Sequence, residues 1–441
     1  MKLKNAAKLP FLFTLVTACF IFANGQNGAD LPSNGTILEQ APYQLPEYAQ
    51  APAWAKQVMS EDAYARWRNP AELELLKIKY VSDGLQIPGF IFKPKASAGK
   101  RFPVVIFNRG GVGEQAVIGP GNFNYLYEMH RLAAEGFVVL ASQYRGVGGA
   151  GGRDEVGGAD TNDVINLFPL AKTLNYVDMD RVFMWGYSRG ALMTLQAMRQ
   201  GVPIRAAVVV GAPTDTEAAT RNNPGLAQFF RDTWPDYDKR KEEHATNRSP
   251  VLWANQLNAP LLILNGGADI AVRPTQAIAL ALKLEELQKP YGLVVYAGDD
   301  HEISANREDR LRKTIDWFRN PPKTPVSRVL ARTISQEGVE AALKQYQDLK
   351  KNQFDRYDFA ERDLNLLGYQ LLGSGKTDEA IEIFKLNVAA YPNAFNTYDS
   401  LGEGYMLAGK RDLAIQNYRK SLELNPQNTN AVQKLQELEQ K

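Results

Sequence analysis

The chain has 441 residues, with 51 lysines and arginines against 49 aspartates and glutamates, so its formal net charge is only +2. A charge this close to zero argues against a nucleic-acid partner, which requires a basic surface. The single cysteine and the three histidines form no cluster typical of a metal centre, and no cofactor is expected. The length predicts two or three domains.

The first residues have the pattern of a secretory signal peptide. Three lysines within the first eight residues precede an apolar run over residues 9–22, and small and polar residues follow it. The run is too short for a comfortable membrane span. We therefore predict a signal peptide over residues 1–25 and an exported protein, periplasmic or secreted, with no membrane span. Residues 16–19 resemble a lipoprotein box, but the apolar core continues past Cys19, so ordinary cleavage is favoured over a lipid anchor.

Residues 26–75 are predicted to be an N-terminal linker and a helical lead-in, and a catalytic domain is predicted over residues 76–320. Within it, short apolar runs alternate with segments of helix length, which predicts a doubly wound, mostly parallel α/β sheet of the α/β-hydrolase type. Two earlier runs, 76–80 and 87–92, predict an antiparallel hairpin at the sheet edge. The runs predicted as parallel strands are 104–107, 137–140, 182–185, 206–210, 261–264 and 293–296.

The pentapeptide Gly186-Tyr187-Ser188-Arg189-Gly190 follows a predicted strand and opens a predicted helix. A Gly-x-Ser-x-Gly motif in this context is typical of a nucleophile elbow, in which the serine hydroxyl is presented above the sheet. The amide of Arg189 would lie at the helix start, where it could hold an oxyanion. Ser188 is therefore the predicted nucleophile.

A catalytic serine requires a base, and the chain offers three histidines. His130 precedes Ser188, which is the wrong chain order for this sheet fold. His244 lies in a charged segment and is expected to face solvent. His301 follows the predicted strand 293–296 through a short loop, where parallel sheets present functional groups. His301 is therefore the predicted base.

The acid is expected between the serine and the histidine in the chain. Asp269 follows the apolar run 261–264 and would hold the imidazole of His301 in the required tautomer. Asp299 and Asp300 are competitors, but they are so close to His301 in sequence that their side chains would have difficulty reaching its far nitrogen. Asp269 completes the order serine, acid, histidine, each member after its own strand.

The loop Asn108-Arg109-Gly110-Gly111 follows another predicted strand, at the position of the second half of an oxyanion hole. Gly110 and Gly111 would let the backbone approach a substrate carbonyl, and Arg109 could supply an amide or its guanidinium. A plain glycine-rich turn is the alternative.

These motifs resemble the prolyl-oligopeptidase-type serine peptidases. The resemblance covers about residues 76–320 and rests on the segments 143–146, 186–190 and 259–269, together with the spacing of the three catalytic positions. It implies a serine-type peptidase in which Ser188, Asp269 and His301 are nucleophile, acid and base. The sequence departs from the family in two ways: Arg109 stands before Gly110-Gly111 where the family has a tyrosine, and nothing resembles the β-propeller of the larger members.

A proline-rich linker at 321–327 separates this domain from a repetitive segment. Leucine-glycine pairs and small or aromatic residues over 367–392 recur 34 residues later, which predicts tetratricopeptide repeats over residues 328–441. The repeats would bind a protein partner or a second copy of the chain, or else serve as a helical cap on the catalytic domain.

The sequence therefore predicts an exported serine hydrolase, and a peptidase that acts on short peptides is the first hypothesis. A carboxylesterase that acts on small esters is the second hypothesis, because the same catalytic groups serve both reactions. A binding module with an inactive hydrolase domain is the third. The insertion between Thr214 and Arg248 carries aromatic residues that would roof the substrate pocket or simply pack together: Phe229, Phe230, Trp234 and Tyr237.

Overall fold

The computed structural model describes residues 31–95 and 99–440. The predicted signal peptide and Cys19 lie outside these residues. The strands are β1 (Ile37–Pro42), β2 (Leu73–Ser82), β3 (Leu85–Pro94), β4 (Phe102–Asn108), β5 (Val138–Ser142), β6 (Val177–Tyr187), β7 (Ala206–Val210), β8 (Leu261–Gly266), β9 (Tyr291–Tyr296), β10 (Thr324–Pro325) and β11 (Tyr357–Asp358).

The α-helices divide between an α/β domain and a C-terminal helical region. Those of the α/β domain are α1 (Ala53–Val58), α2 (Glu61–Arg68), α3 (Phe123–Ala134), α4 (Thr161–Ile165), α5 (Leu167–Thr173), α6 (Arg189–Arg199), α7 (Thr216–Asn222), α8 (Leu226–Thr233), α9 (Tyr237–Asn247), α10 (Pro274–Glu286) and α11 (Arg307–Arg319). Those of the helical region are α12 (Val326–Glu337), α13 (Val339–Asn352), α14 (Glu361–Gly373), α15 (Thr377–Ala390), α16 (Phe395–Leu407), α17 (Arg411–Leu424) and α18 (Thr429–Glu439).

Nine strands form one sheet in the order β1-β2-β3-β5-β4-β6-β7-β8-β9. The pairs from β5 to β9 are parallel, whereas β1, β2 and β3 add antiparallel strands at one edge. Helices α1–α3 and α11 cover one face, and α4–α6 and α10 cover the other. The predicted α/β-hydrolase architecture is confirmed. Seven of the eight predicted runs lie within strands, and the run 137–140 begins one residue before β5.

The first strand corrects the predicted linker. Residues 37–42 form β1, which pairs antiparallel with β2 and makes the outer edge of the sheet. The predicted hairpin β2–β3 is present, but it lies one strand in from the edge. The two short helices α1 and α2 agree with the predicted helical lead-in.

The helical region attaches to the end of the sheet at which the parallel strands begin. Asp355 forms an ion pair with Arg205, which precedes β7, and Arg328 donates a hydrogen bond to the carbonyl of Gln288, shortly before β9. The opposite end of the sheet, where β6, β8 and β9 end, carries the predicted catalytic residues. The helical region and the predicted catalytic residues are therefore at opposite ends of the parallel strands.

Candidate active site

Ser188 lies in a strained turn between β6 and α6. Its φ of 53° and ψ of −121° are unusual for a residue with a side chain. The flanking glycines are required by close packing: a Cβ at Gly186 would come within 2.5 Å of the Thr194 hydroxyl, and one at Gly190 would overlap the carbonyl of Asn108. This is the geometry of the predicted nucleophile elbow.

The structure brings Ser188, His301 and Asp269 into one hydrogen-bonded chain. Nε2 of His301 lies 2.9 Å from the Ser188 Oγ, and its Nδ1 lies 2.6 Å from Oδ2 of Asp269. The carboxylate is fully buried, and its other oxygen accepts the amides of Ala271 and Val272 at 2.9 and 2.8 Å. With Nδ1–H donating to Asp269, Nε2 is free to accept the serine proton.

The competing acids shape the histidine loop instead of contacting the imidazole. Asp299 accepts the amides of Ala305 and Asn306, both at 3.1 Å. Asp300 accepts the amides of Glu302 and Ser304. Both carboxylates thus hold the turn that presents His301.

The other two histidines are buried away from Ser188. His130, on α3, packs against the Trp67 ring with 4.9 Å between ring centroids. The prediction that His244 faces solvent was wrong, because the residue is only 6% exposed. Its Nδ1 accepts from Arg248 at 3.0 Å, and its Nε2 lies 2.6 Å from the Pro235 carbonyl. Burial lowers the pKa of His244, which favours the neutral ring.

The loop at residues 109–111 lies directly beside the serine. A Cβ built on Gly110 would be 3.1 Å from Cβ of Ser188. The predicted use of the Arg109 guanidinium as an oxyanion donor is contradicted: it is completely buried and donates to the carbonyls of Gly110, Gly111 and Gln143. It therefore points away from any substrate.

Sequence reasoning missed the part played by Tyr144. The segment containing Tyr144 contributed to the family resemblance but predicted no contact with the elbow. In the structure Tyr144 is fully buried, has a φ of 67°, and donates its hydroxyl to the Arg109 carbonyl at 3.1 Å. The guanidinium of Arg189 lies on its ring and forms ion pairs with Asp154 and Asp160.

A cavity of about 380 Å³ opens beside Ser188. Helices α7 and α8 of the predicted insertion form much of its wall. Phe229, Phe230 and Trp234 line it, whereas Tyr237 packs behind Trp234. The Phe230 and Trp234 rings are stacked with centroids 3.9 Å apart, and Arg248 lies on Trp234 at 4.5 Å. The apolar wall suits an apolar substrate group.

In residues 31–95 and 99–440, which the structure describes, no group of three or more histidine, cysteine, aspartate or glutamate side chains could hold a metal ion. None of the helices there is both long and apolar enough to cross a bilayer.

Comparison with known proteins identifies the domain. Residues 123–323 match the model of the prolyl oligopeptidase family. The uncharacterized peptidase YtmA of Bacillus subtilis is 28% identical over 258 residues, which cover 58% of this chain and 97% of that protein. The human dipeptidyl peptidase 8 is 27% identical over 238 residues, but the match covers only 25% of its length.

Among solved structures, an acylaminoacyl peptidase of Pyrococcus horikoshii superposes with a TM-score of 0.51 and 20% identity, over 58% of this chain and 43% of that one. At that identity the likeness supports the fold alone. The family match and the related peptidases coincide with the part of the chain that carries the elbow, and the fold agrees with them. The comparisons therefore support a serine peptidase domain of the prolyl oligopeptidase type over residues 123–323.

Proposed function

We propose that this chain is an exported serine peptidase that cleaves short peptides, with Ser188 as nucleophile, His301 as general base and Asp269 as the acid that orients the base. The observation that carries the proposal is the continuous set of hydrogen bonds from Ser188 through His301 to the buried Asp269. A serine hydroxyl is a weak nucleophile unless a base accepts its proton during attack.

The reaction follows from this arrangement. His301 takes the proton of Ser188 as Oγ attacks the peptide carbonyl, and the charged imidazole is stabilised by Asp269. The negative charge that develops on the carbonyl oxygen is held by the Arg189 amide at the start of α6 and by the loop that contains Gly110 and Gly111. His301 then donates its proton to the leaving amine. Water attacks the acyl-enzyme with His301 again as the base, and the proton passes to Ser188 Oγ as the acid product leaves.

The cavity beside Ser188 supports a preference for an apolar side chain. Phe229, Phe230 and Leu226 lie on α8, and Leu192 and Ile270 complete much of the remaining apolar wall. Ile270 is 94% exposed at the cavity mouth, where it would be covered by a bound substrate. An apolar group that enters the cavity would lose contact with water, at a gain of about 25 cal/mol for each Å² buried.

The proposal is tested by labelling with a fluorophosphonate probe. The wild type should be labelled and Ser188→Ala should not, whereas Ser374→Ala, in a turn of the helical region, should react like the wild type. Matched peptide and ester substrates with the same acyl group then separate peptidase from carboxylesterase. Well-folded wild type that neither reacts with the probe nor hydrolyses peptides would overturn the proposal.

Export is part of the proposal and rests on the pattern of residues 1–25. The test is to express the full chain in a bacterial host, fractionate the cells and sequence the mature N-terminus. Recovery in the periplasm or medium with cleavage near residue 25 supports export. Retention in the cytoplasm with an intact N-terminus contradicts it, and a lipid-modified N-terminus at Cys19 would favour the anchored alternative.

We further propose that the helical region consists of tetratricopeptide repeats. The supporting observation is a contact repeated at the predicted 34-residue spacing: Gly368 lies against the Phe384 ring, and Gly402 lies against the Tyr418 ring. Because this region attaches to the end of the sheet opposite Ser188, a protein bound to it would leave the cavity open. Deleting residues 326–441 should then abolish partner binding and leave peptide hydrolysis within about twofold of the wild type.

A further inference from the structure

Three buried side chains form a stack behind the loop at residues 109–111. Two guanidinium groups pack on the Tyr144 ring, whose centroid is 4.6 Å from Cζ of Arg109 and 4.7 Å from Cζ of Arg189. Arg109 and Tyr144 are completely buried, and Arg189 is 4% exposed. We call these three residues the guanidinium–tyrosine stack.

The stack binds every carbonyl of the loop. The Tyr144 hydroxyl donates to the carbonyl of Arg109 at 3.1 Å. Nη1 of Arg109 donates to the carbonyl of Gly110 at 3.1 Å, and Nη1 of Arg189 donates to that of Gly111 at 3.1 Å. The carbonyls of three consecutive residues are therefore all bound by the stack.

The orientation of these carbonyls fixes the amides. In a planar trans peptide the N–H group points opposite to the C=O group, so the amides of Gly110, Gly111 and Val112 point away from the stack. Gly110 lies against Ser188, and Gly111 and Val112 line the cavity that contains its hydroxyl. The Gly110 amide already donates to the Tyr125 hydroxyl, so the amides of Gly111 and Val112 are the ones suited to hold a developing oxyanion.

The stack is itself anchored at both ends. Arg189 forms ion pairs with Asp154 and Asp160, and Arg109 donates to the Gln143 carbonyl at 2.5 Å. Among the residues that the structure describes, no carboxylate lies within 4 Å of the Arg109 guanidinium, whose positive charge is balanced by carbonyl dipoles, the Tyr144 ring and the more distant Asp154. Tyr144 is held at a positive φ, a strained conformation for a residue other than glycine that persists where the surroundings impose it.

We propose that the guanidinium–tyrosine stack is a positioning device that sets the oxyanion-binding amides of the 109–111 loop, a proposal that rests on the proposed role of Ser188. Its three side chains act through the backbone of the loop, and Arg109 and Tyr144 do not line the cavity beside Ser188. Where the family has a tyrosine as a direct side-chain donor, this chain has Arg109, which holds the loop in place. Arg189 of the stack belongs to the nucleophile elbow itself. The stack therefore couples the position of the loop to that of the nucleophile.

The test uses the full-length chain and three variants. Tyr144→Phe removes one hydroxyl and keeps both cation–aromatic contacts, and Arg109→Lys keeps the charge but loses the forked geometry. Tyr64→Phe is the matched control, because Tyr64 is also buried and donates to a backbone carbonyl, that of Pro46, at 2.9 Å far from the site. For each variant we would measure thermal unfolding, the rate of fluorophosphonate labelling, kcat and KM, and inhibition by a peptide trifluoromethyl ketone and by a product peptide.

We expect Tyr144→Phe to lower the labelling rate and kcat about tenfold, and Arg109→Lys to lower them further, towards the hundredfold or more that the loss of one oxyanion donor costs. KM and product binding should stay within about twofold, and the trifluoromethyl ketone should bind less tightly in parallel with kcat. Unchanged labelling rates and ketone affinity in both variants, or an equal loss in Tyr64→Phe, would overturn the proposal. Labelling does not depend on the natural substrate, so a chain that is labelled at Ser188 but cleaves no peptide would contradict the peptidase assignment alone.

Discussion

The backbone of Gly211 lies directly against the ring of His301. A Cβ built on Gly211 would be 2.7 Å from Cε1 of the imidazole and 2.9 Å from its Nδ1. Gly211 follows β7, and its amide donates to the Leu264 carbonyl at 2.9 Å, so its backbone is fixed by the sheet. The position of the proposed base therefore depends on the absence of a side chain at this residue.

The first prediction is that Gly211→Ala displaces His301 and lowers kcat at least about tenfold, because misplacement by about 1 Å costs up to a hundredfold. Gly201→Ala is the control, since Gly201 also has a positive φ but nothing within 4 Å of the added methyl group. Both variants should lose about 1 kcal/mol of stability from the backbone conformation. Steady-state kinetics and thermal unfolding measure the two effects, and equal kcat values in the two variants would contradict the contact with His301.

The second prediction concerns the aromatic wall of the cavity. Phe230→Ala removes the ring stacked on Trp234 and should raise KM about tenfold for substrates with a large apolar group, at nearly constant kcat, because the loss is in binding. Phe354→Ala, in the helical region, removes an aromatic ring that is 58% exposed and should leave both constants unchanged. A series of peptides with alanine, leucine and phenylalanine at the cleaved bond provides the measurement. A KM that is insensitive to side-chain size in both variants would show that the cavity does not bind this group.

The third prediction tests the packing of the helical repeats. A Cβ at Gly368 would overlap the buried Phe384 ring, so Gly368→Ala should destabilise the helical region by about 1–3 kcal/mol, as overpacking does in other cores. Gly373→Ala, in the same helix α14, adds its methyl group to open space and should be neutral or stabilising by up to about 1 kcal/mol. Urea unfolding followed by circular dichroism compares them. Hydrolysis should be unaffected in both, and similar stabilities would contradict close helix crossing at Gly368.

The sequence was sufficient to predict eight of the nine strands of the sheet and the three members of the hydrogen-bonded chain, because each member follows a short apolar run of strand length. It was insufficient where contacts join distant segments. The packing of Arg109 and Arg189 on the Tyr144 ring brings together loops after three strands, and no local pattern indicates it. His244 was expected in solvent because its neighbours in the chain are charged, yet one side of α9 packs on Arg248.

Strand β1 shows a further limit of local pattern. Residues 37–42 contain two polar residues and a proline, which weaken the usual strand signal, and their strand character comes from pairing with β2. The side chain of Arg109 is a similar case. The glycines beside it predicted a close backbone approach to a substrate carbonyl, which stays a prediction, whereas the direction of the Arg109 side chain is decided by carbonyls that only the folded loop brings together.

The last prediction is a dependence of stability on pH that arises from His130. Burial lowers the pKa of His130 to about 4, assisted by the charge of Arg131, whereas the unfolded chain has a histidine pKa near 6.5. Below pH 6.5 the unfolded chain therefore binds a proton that the folded protein excludes. Stability should fall as the pH drops from about 6.5 to 4, at up to about 1.4 kcal/mol per pH unit from this group alone.

His130→Leu should remove this contribution, so that its unfolding free energy depends less steeply on pH between 6.5 and 4 than that of the wild type. Met129→Ala, a buried and non-titrating neighbour on the same helix, should lower stability at all pH values but keep the wild-type slope. Urea unfolding at intervals of half a pH unit would give the three slopes. Identical slopes for the wild type and His130→Leu would mean that His130 accepts a proton as readily in the folded protein as in the unfolded chain.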